Sequence, residues 1–322
     1  MEAGPRHARS AAAPLRGALV RLLLAAVCTT ATATVRPVHA VEDQDDHMAP
    51  APTGAMAGNA PAPRYTSAAP HAGGRLMTAA FSSFGGDALN IAFSLPADAG
   101  RQSLQEFGIS EAETDAMLKA CLATPACDQD EFDRQITRYY NEHALRLRPV
   151  PGQAPRLYVD VAQVVRRNRE RVQPVAAALR QLAAQRGADS QWAVEAAIAM
   201  VQTGLTYRRP ASAEDGRRIL GFYPPPRALE RGYGDCDSKS ALLAAILQNL
   251  TSSKLIGVHV PQHYLIGIAG TPDGQQAFLD YGGQRYVLVE AAGPGMRRPG
   301  SIADATRSAL AARDGLRIDP LF

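Results

Sequence analysis

The chain has 322 residues, 46% of them hydrophobic and 20% charged, with a formal net charge of +3. So small a balance argues for no polyelectrolyte partner. Arginine greatly outnumbers lysine along the whole chain, and basic residues do not interleave with aromatic ones, so neither RNA nor DNA binding is indicated.

Residues 1–40 read as a secretory signal. Arg6, Arg9, Arg16 and Arg21 form a positive start, Leu22 to Val27 begin an apolar run, and Val38-His39-Ala40 suits a signal peptidase. Cys28 follows Ala25-Ala26-Val27, a poor lead-in for lipoprotein processing. Residues 41–75 read as a disordered tether, because the Ala, Pro and Gly that dominate Met48 to Pro63 cannot bury enough surface to offset ordering entropy. No later stretch approaches the roughly 20 apolar residues that span a bilayer. The expectation is a periplasmic or secreted protein with no membrane span after cleavage.

Residues 76–160 are expected to form a mainly helical N-terminal subdomain with some strand. Asn90 to Leu95 reads as a short strand ended by Pro96. Ser110-Glu111-Ala112-Glu113 has the capping-box pattern and predicts a helix to about Leu122. A further helix is predicted from Asp130 to His143, with Phe132, Ile136, Tyr139 and Tyr140 on one face. Cys121 and Cys127 flank Pro125 and suit a short-loop disulfide in an oxidising compartment. That leaves Cys236 as the odd thiol of the exported chain.

Residues 161–322 are expected to hold the catalytic domain. A basic helical pattern over 160–186 is interrupted at Pro174, and a second helix runs from Trp192 to Leu205. Pro224-Pro225-Pro226 predicts an extended entry to the next element. A helix from Cys236 to Gln248 follows. Strands at 254–260, 263–269, 275–281 and 284–291 are joined by short connections, which predicts antiparallel neighbours. The fold class is α+β, helices first and then an antiparallel sheet against the Cys236 helix.

Cys236 sits in Gly232-Tyr233-Gly234-Asp235-Cys236-Asp237-Ser238, a glycine-rich turn that opens a helix. Amide N–H groups and the helix dipole both favour a thiolate there. His263 begins one predicted strand and Asp280 ends another, so on adjacent antiparallel strands the two would face each other. His263 then reads as general base and Asp280 as its orienter. His259 is a rival base. Its four-residue spacing from His263 is no zinc motif, because Pro261 intervenes and no third ligand is near, so neither a metal nor a cofactor is expected.

The Gly-Tyr-Gly-Asp-Cys-Asp-Ser-Lys-Ser run, the apolar helix after it, the strand-borne His263 and Asp280 in Phe-Leu-Asp-Tyr together resemble the transglutaminase-like superfamily, and more narrowly the bacterial transglutaminase-like cysteine peptidases. Val201 to Tyr207 and Pro226 to Gly232 also look like that family's approach to its cysteine loop. The resemblance spans about 190–292. It implies a papain-like core, with Cys236 as nucleophile, His263 as base and acid, and Asp280 as orienter. For the oxyanion hole it suggests the Cys236 backbone N–H, with Gln202 or Tyr223 as a side-chain donor. The Cys-to-His interval is short for the superfamily.

The function expected from these readings is that of an exported thiol hydrolase, a cysteine peptidase or amidase working through a thioester on a protein or peptide substrate. Two alternatives stay open: a protein-glutamine amine transferase on the same residues, and a non-catalytic binding protein on this scaffold. An envelope partner is a further possibility for residues 76–160.

Overall fold

The computed structural model describes residues 65–321 apart from 72, 151, 294 and 314. The expected signal and the tether as far as residue 64 lie outside the described residues, as does Cys28. By their contacts the described residues divide into two units, one holding 148–156 and the other 65–147 with 157–321. Every residue of the candidate site described below belongs to the second.

Residues expected to end the tether are ordered strand. β1 (Tyr65–His71), β2 (Gly74–Ser82) and β3 (Ala88–Leu95) form an antiparallel sheet in that order. On β2 and β3 alternate residues are buried, among them Met77, Ala79, Phe81, Leu89, Ile91, Phe93 and Leu95. That period-two pattern makes one face a core face. The expectation of a mainly helical N-terminal subdomain is therefore corrected for this stretch. β2 and β3 pack on helical segments that lie beyond residue 160.

Helices α1 (Ala99–Gln105), α2 (Glu111–Leu122) and α3 (Gln129–Glu142) follow, with β4 (Ile109–Ser110) between the first two. The Ser110 side chain accepts the Glu113 N–H, so half of the predicted capping box forms. The other half does not, because the Glu113 carboxylate is drawn instead to Tyr139 Oη at 2.7 Å and to Arg217. The Cys121–Cys127 disulfide is present. After β5 (Leu145–Val150) and β6 (Gln153–Val159) the predicted break at Pro174 appears as α4 (Val161–Asn168), a 3₁₀ turn at Glu170–Val172 and α5 (Gln173–Gln185). α6 (Ser190–Ala199) runs into a π turn at Met200–Gly204.

Two short strand pairs then shape the approach to the cysteine. β7 (Thr206–Tyr207) leads to β8 (Ala213–Glu214) and β9 (Arg217–Arg218), which form a small sheet with β4. The triple proline does not stay extended. Pro225 and Pro226 open α7 (Pro225–Arg231), where first-turn residues need no N–H donor. Gly232 ends α7 at φ +71°, a left-handed conformation that glycine adopts without strain. β10 (Tyr233–Gly234) pairs in parallel with β7, and α8 (Cys236–Leu250) begins one residue after Asp235, its N-cap.

A curled five-stranded sheet completes the fold. β11 (Leu255–Val260), β12 (His263–Ala269), β13 (Phe278–Tyr281), β14 (Gln284–Val289) and β15 (Arg317–Pro320) take the order β13-β14-β12-β11-β15, with every pairing antiparallel. Leu255, Tyr264, Ile266 and Val289 join the main core with the fully buried run Ala241 to Leu247 of α8. Ile256, Val258, Val260, Leu265 and Leu288 form a second core, against which Ala309 and Leu310 of α9 (Asp304–Ala312) pack. Both faces are thus covered, which is why these strands read as near-continuous apolar runs. The fold is mixed α+β, as expected from the sequence.

The strand order corrects one expectation. β13 is not beside β12, because β14 lies between them. Gly282-Gly283 make β13 and β14 a tight hairpin, whereas the longer 270–277 connection lets β13 pass over one strand position.

Candidate active site

Cys236 is the first residue of α8, at the positive end of the helix dipole. Asp235 fixes that start by accepting the Ser238 N–H at 2.9 Å. Gly234 is required for the close turn, since a Cβ there would lie 2.8 Å from Ser238 Cβ. Among the described residues Cys236 is the free cysteine, and it is partly open to solvent.

Three elements surround its sulfur. The thiol donates to Asp237 Oδ1 at 3.4 Å on α8 itself. The backbone of Tyr264, the second residue of β12, favours the thiolate, and Tyr207 on β7 interacts with the sulfur electrostatically. β7 reaches this position because Tyr207 pairs with Gly234 across the β7–β10 ladder. Ser240 Oγ donates to the Tyr264 carbonyl at 3.1 Å and fixes α8 against β12 one turn further on.

His263, beside Tyr264, is mostly buried. Its Nε2 lies 2.6 Å from Glu290 Oε2. The Glu290 carboxylate is itself fixed, since Oε1 accepts the Ala303 N–H at 3.2 Å and the Thr306 hydroxyl at 3.0 Å. Burial pushes the Glu290 carboxyl up, but His263, Ala303 and Thr306 together carry it below its ordinary range. Register explains the meeting. Ile266 pairs with Val289, so the next residue of the chain, Glu290, arrives across from Leu265, on the face that carries His263. With Nε2 engaged, Nδ1 is the remaining ring nitrogen.

Asp280 does not take part. Its carboxylate is 70% exposed and lies 3.5 Å from Arg285, its cross-strand partner on β14. The expected His263–Asp280 pair is replaced by His263–Glu290, for the reason that β14 occupies the position beside β12. The signal that pointed to Glu290 was present in the sequence: an acid closing the apolar run Tyr286 to Val289 of the last hairpin strand.

The side-chain oxyanion donors are corrected too. Gln202 is buried and its amide is fully used. Nε2 donates to the carbonyls of Glu290 at 2.6 Å and Arg297 at 3.0 Å, and Oε1 accepts the Arg297 N–H at 2.9 Å. It ties the π turn to the segment that carries Glu290. Tyr223 directs its hydroxyl to Glu214 and Tyr233, away from the thiol, while its N–H donates to Ser238 Oγ. The tyrosine that interacts electrostatically with the sulfur is Tyr207. As for the rival base, His259 stands on β11 with its ring edge-on to Tyr264 at 6.3 Å.

The electrostatics differ from the expectation of a depressed thiol. Burial pushes the Cys236 thiol well up, Asp237 and Asp235 add to this, and the Tyr264 N–H opposes it. Burial likewise raises Asp237, against the pull of Cys236, His263, Arg317 and Arg209. Asp235 is raised by burial and by Asp237, against its bonds to Ser238. Tyr207 is raised by burial and then by the sulfur and both aspartates. The resting arrangement is a neutral thiol beside two carboxyl groups.

Behind the site, Lys239 is buried, with Nζ donating to the carbonyls of Gln202, Leu205 and Ala292 at 3.4, 3.1 and 2.5 Å. Burial pushes its amine down to about 7. Among the described residues no group of three or more His, Cys, Asp and Glu is arranged to hold a metal ion, and no helix is long and apolar enough to cross a membrane. No family model matches the chain, and neither does a curated protein or a solved structure.

Proposed function

We propose that the protein is a thiol hydrolase of the transglutaminase-like kind, a cysteine peptidase or amidase on a papain-like core, exported to the periplasm or beyond. The observation that carries this reading is the 2.6 Å His263–Glu290 contact, set beside a cysteine that opens a helix which Ser240 fixes to the residue next to that histidine. Such an assembly has the elements of nucleophile, base and orienter.

In this reading the Cys236 S–H bond breaks as substrate binds, and the proton passes to His263 Nδ1. The sulfur forms a bond to the acyl carbon, and the carbonyl π pair moves onto oxygen. The Tyr207 hydroxyl and the Cys236 N–H donate to that oxyanion. The amine leaves with the His263 proton, and water attacks the thioester. Glu290 keeps the ring in place and stabilises its charged form throughout. The test is burst release of p-nitrophenolate from p-nitrophenyl acetate, followed by release of new termini from a protein substrate. Both should vanish in Cys236→Ala. Incorporation of a labelled primary amine without cleavage would make the protein a transferase instead.

One observation favours a non-catalytic scaffold, namely the two carboxyl groups that raise the thiol. An intact protein that gives no burst with any activated ester would support that alternative.

A further inference from the structure

We propose that Asp237 is a positioning residue that holds the Cys236 thiol protonated at rest and releases it to His263 when substrate enters. The inference rests on the reading of Cys236 as a nucleophile. Cys236 and Asp237 are successive residues of α8, and neighbours in sequence point about 100° apart around a helix axis. Here the carboxylate is nonetheless turned back so that Oδ1 receives the thiol at 3.4 Å. That is the hydrogen bond the thiol donates at rest.

Every element around the sulfur contributes a charge or a dipole to this balance. The α8 dipole and the Tyr264 N–H on β12 favour a thiolate. Asp235 in the preceding turn and Asp237 on α8 oppose it. His263 on β12, Arg317 on β15 and Arg209 after β7 favour the charged form of Asp237, against the burial that raises it. Glu290 after β14 engages the far side of the imidazole, and Tyr207 supplies a neutral hydroxyl. At the chemical step the S–H bond turns from Asp237 to His263 Nδ1 and breaks there, with the sulfur pair going to the acyl carbon. At rest the protonated sulfur is a poor nucleophile toward oxidants and adventitious electrophiles. That protection suits a thiol in an oxidising compartment.

The experiment alkylates the full folded chain with iodoacetamide across pH and reads the midpoint at Cys236. Asp237→Asn keeps the shape and an acceptor oxygen but removes the charge. The midpoint should fall by about one pH unit or more, and the rate at pH 7 should rise roughly tenfold. An unchanged or higher midpoint in a folded Asp237→Asn protein overturns the proposal. A second arm leaves Asp237 intact. In His263→Ala a thiol already held neutral should alkylate at pH 7 within about twofold of the parent rate. A large loss of rate would reveal a resting thiolate–imidazolium pair and overturn the proposal as well. If circular dichroism shows Asp237→Asn unfolded, this arm decides. Alkylation requires no turnover. Expected shifts without any ester or peptide hydrolysis would therefore sustain Asp237's role and sink the hydrolase reading, while hydrolysis with unshifted midpoints would do the reverse.

Discussion

His263 Nε2 and Glu290 Oε2 meet at 2.6 Å although 27 residues separate them, because β14 is the strand that lies against β12. The contact makes a discriminating prediction. Glu290→Gln should lower the acylation rate of Cys236 by p-nitrophenyl acetate by roughly 10²–10⁴-fold, since the amide cannot stabilise a charged imidazole. Asp280→Asn, on the exposed edge, should leave that rate within about twofold. Equal losses in the two variants would remove Glu290 from the site.

Two tyrosines near the cysteine should separate cleanly. Tyr207→Phe removes the hydroxyl proposed as an oxyanion donor and should slow acylation by roughly 10- to 100-fold with little change in melting temperature. Tyr223→Phe leaves Glu214 without its phenolic donor in the network with Arg227 and Arg231. It should cost about 1–2 kcal/mol of stability, read by urea unfolding, and should spare the chemistry.

Gln202 belongs to stability rather than to the reaction. Gln202→Met keeps the volume but strands the carbonyls of Glu290 and Arg297 and one N–H. The expected loss is about 2–4 kcal/mol in urea unfolding. Acylation should fall only as far as the loosened Glu290 allows, and less than in Glu290→Gln.

Lys239 should give the protein a pH-dependent stability. Its folded pKa, about 7, lies below the unfolded value, so the native state sheds this proton first. Its contribution to stability is then present in full above the unfolded value, near 10.5, and is lost as pH falls toward and through about 7. Three carbonyl acceptors hold back part of that effect. Between pH 6.5 and 9.5 the unfolding free energy should therefore rise by on the order of 1–3 kcal/mol more in the parent than in Lys239→Met. An identical pH slope in both proteins would show that the amine stays charged.

The Cys121–Cys127 disulfide closes a short surface loop after α2. Its removal in a Cys121→Ser, Cys127→Ser double variant should cost about 2 kcal/mol, the value for a loop of this size, and leave Cys236 acylation unchanged. Thermal unfolding with and without reductant checks the first part, and ester hydrolysis the second.

Residues that write local rules were legible in the sequence. The Asp235-Cys236 helix start, the break at Pro174, the strand limits near 255–260 and 263–269, and the odd-cysteine arithmetic all rest on neighbours along the chain. Asp280 was misread because strand order is a long-range property, and an eight-residue connection permits either adjacency or a skipped position. Gln202 and Tyr223 were plausible donors by type, yet their amide and hydroxyl are engaged by partners 9 to 95 residues away. Tyr207 was invisible, since only the two-residue parallel ladder with Tyr233-Gly234 brings it to the sulfur. The tether's end became strand because β1 completes the β2–β3 sheet, a gain that its own composition does not announce.

The placement of β14 also bears on the order in which the chain can mature. The nucleophile helix and the histidine strand leave the ribosome well before Glu290, and the carboxylate is clamped only by Ala303 and Thr306, later still. A nascent chain halted near residue 285 would carry cysteine and histidine without their acid partner. If Cys236 is the nucleophile proposed above, its histidine lacks the acid that orients it until β14 takes its place between β13 and β12.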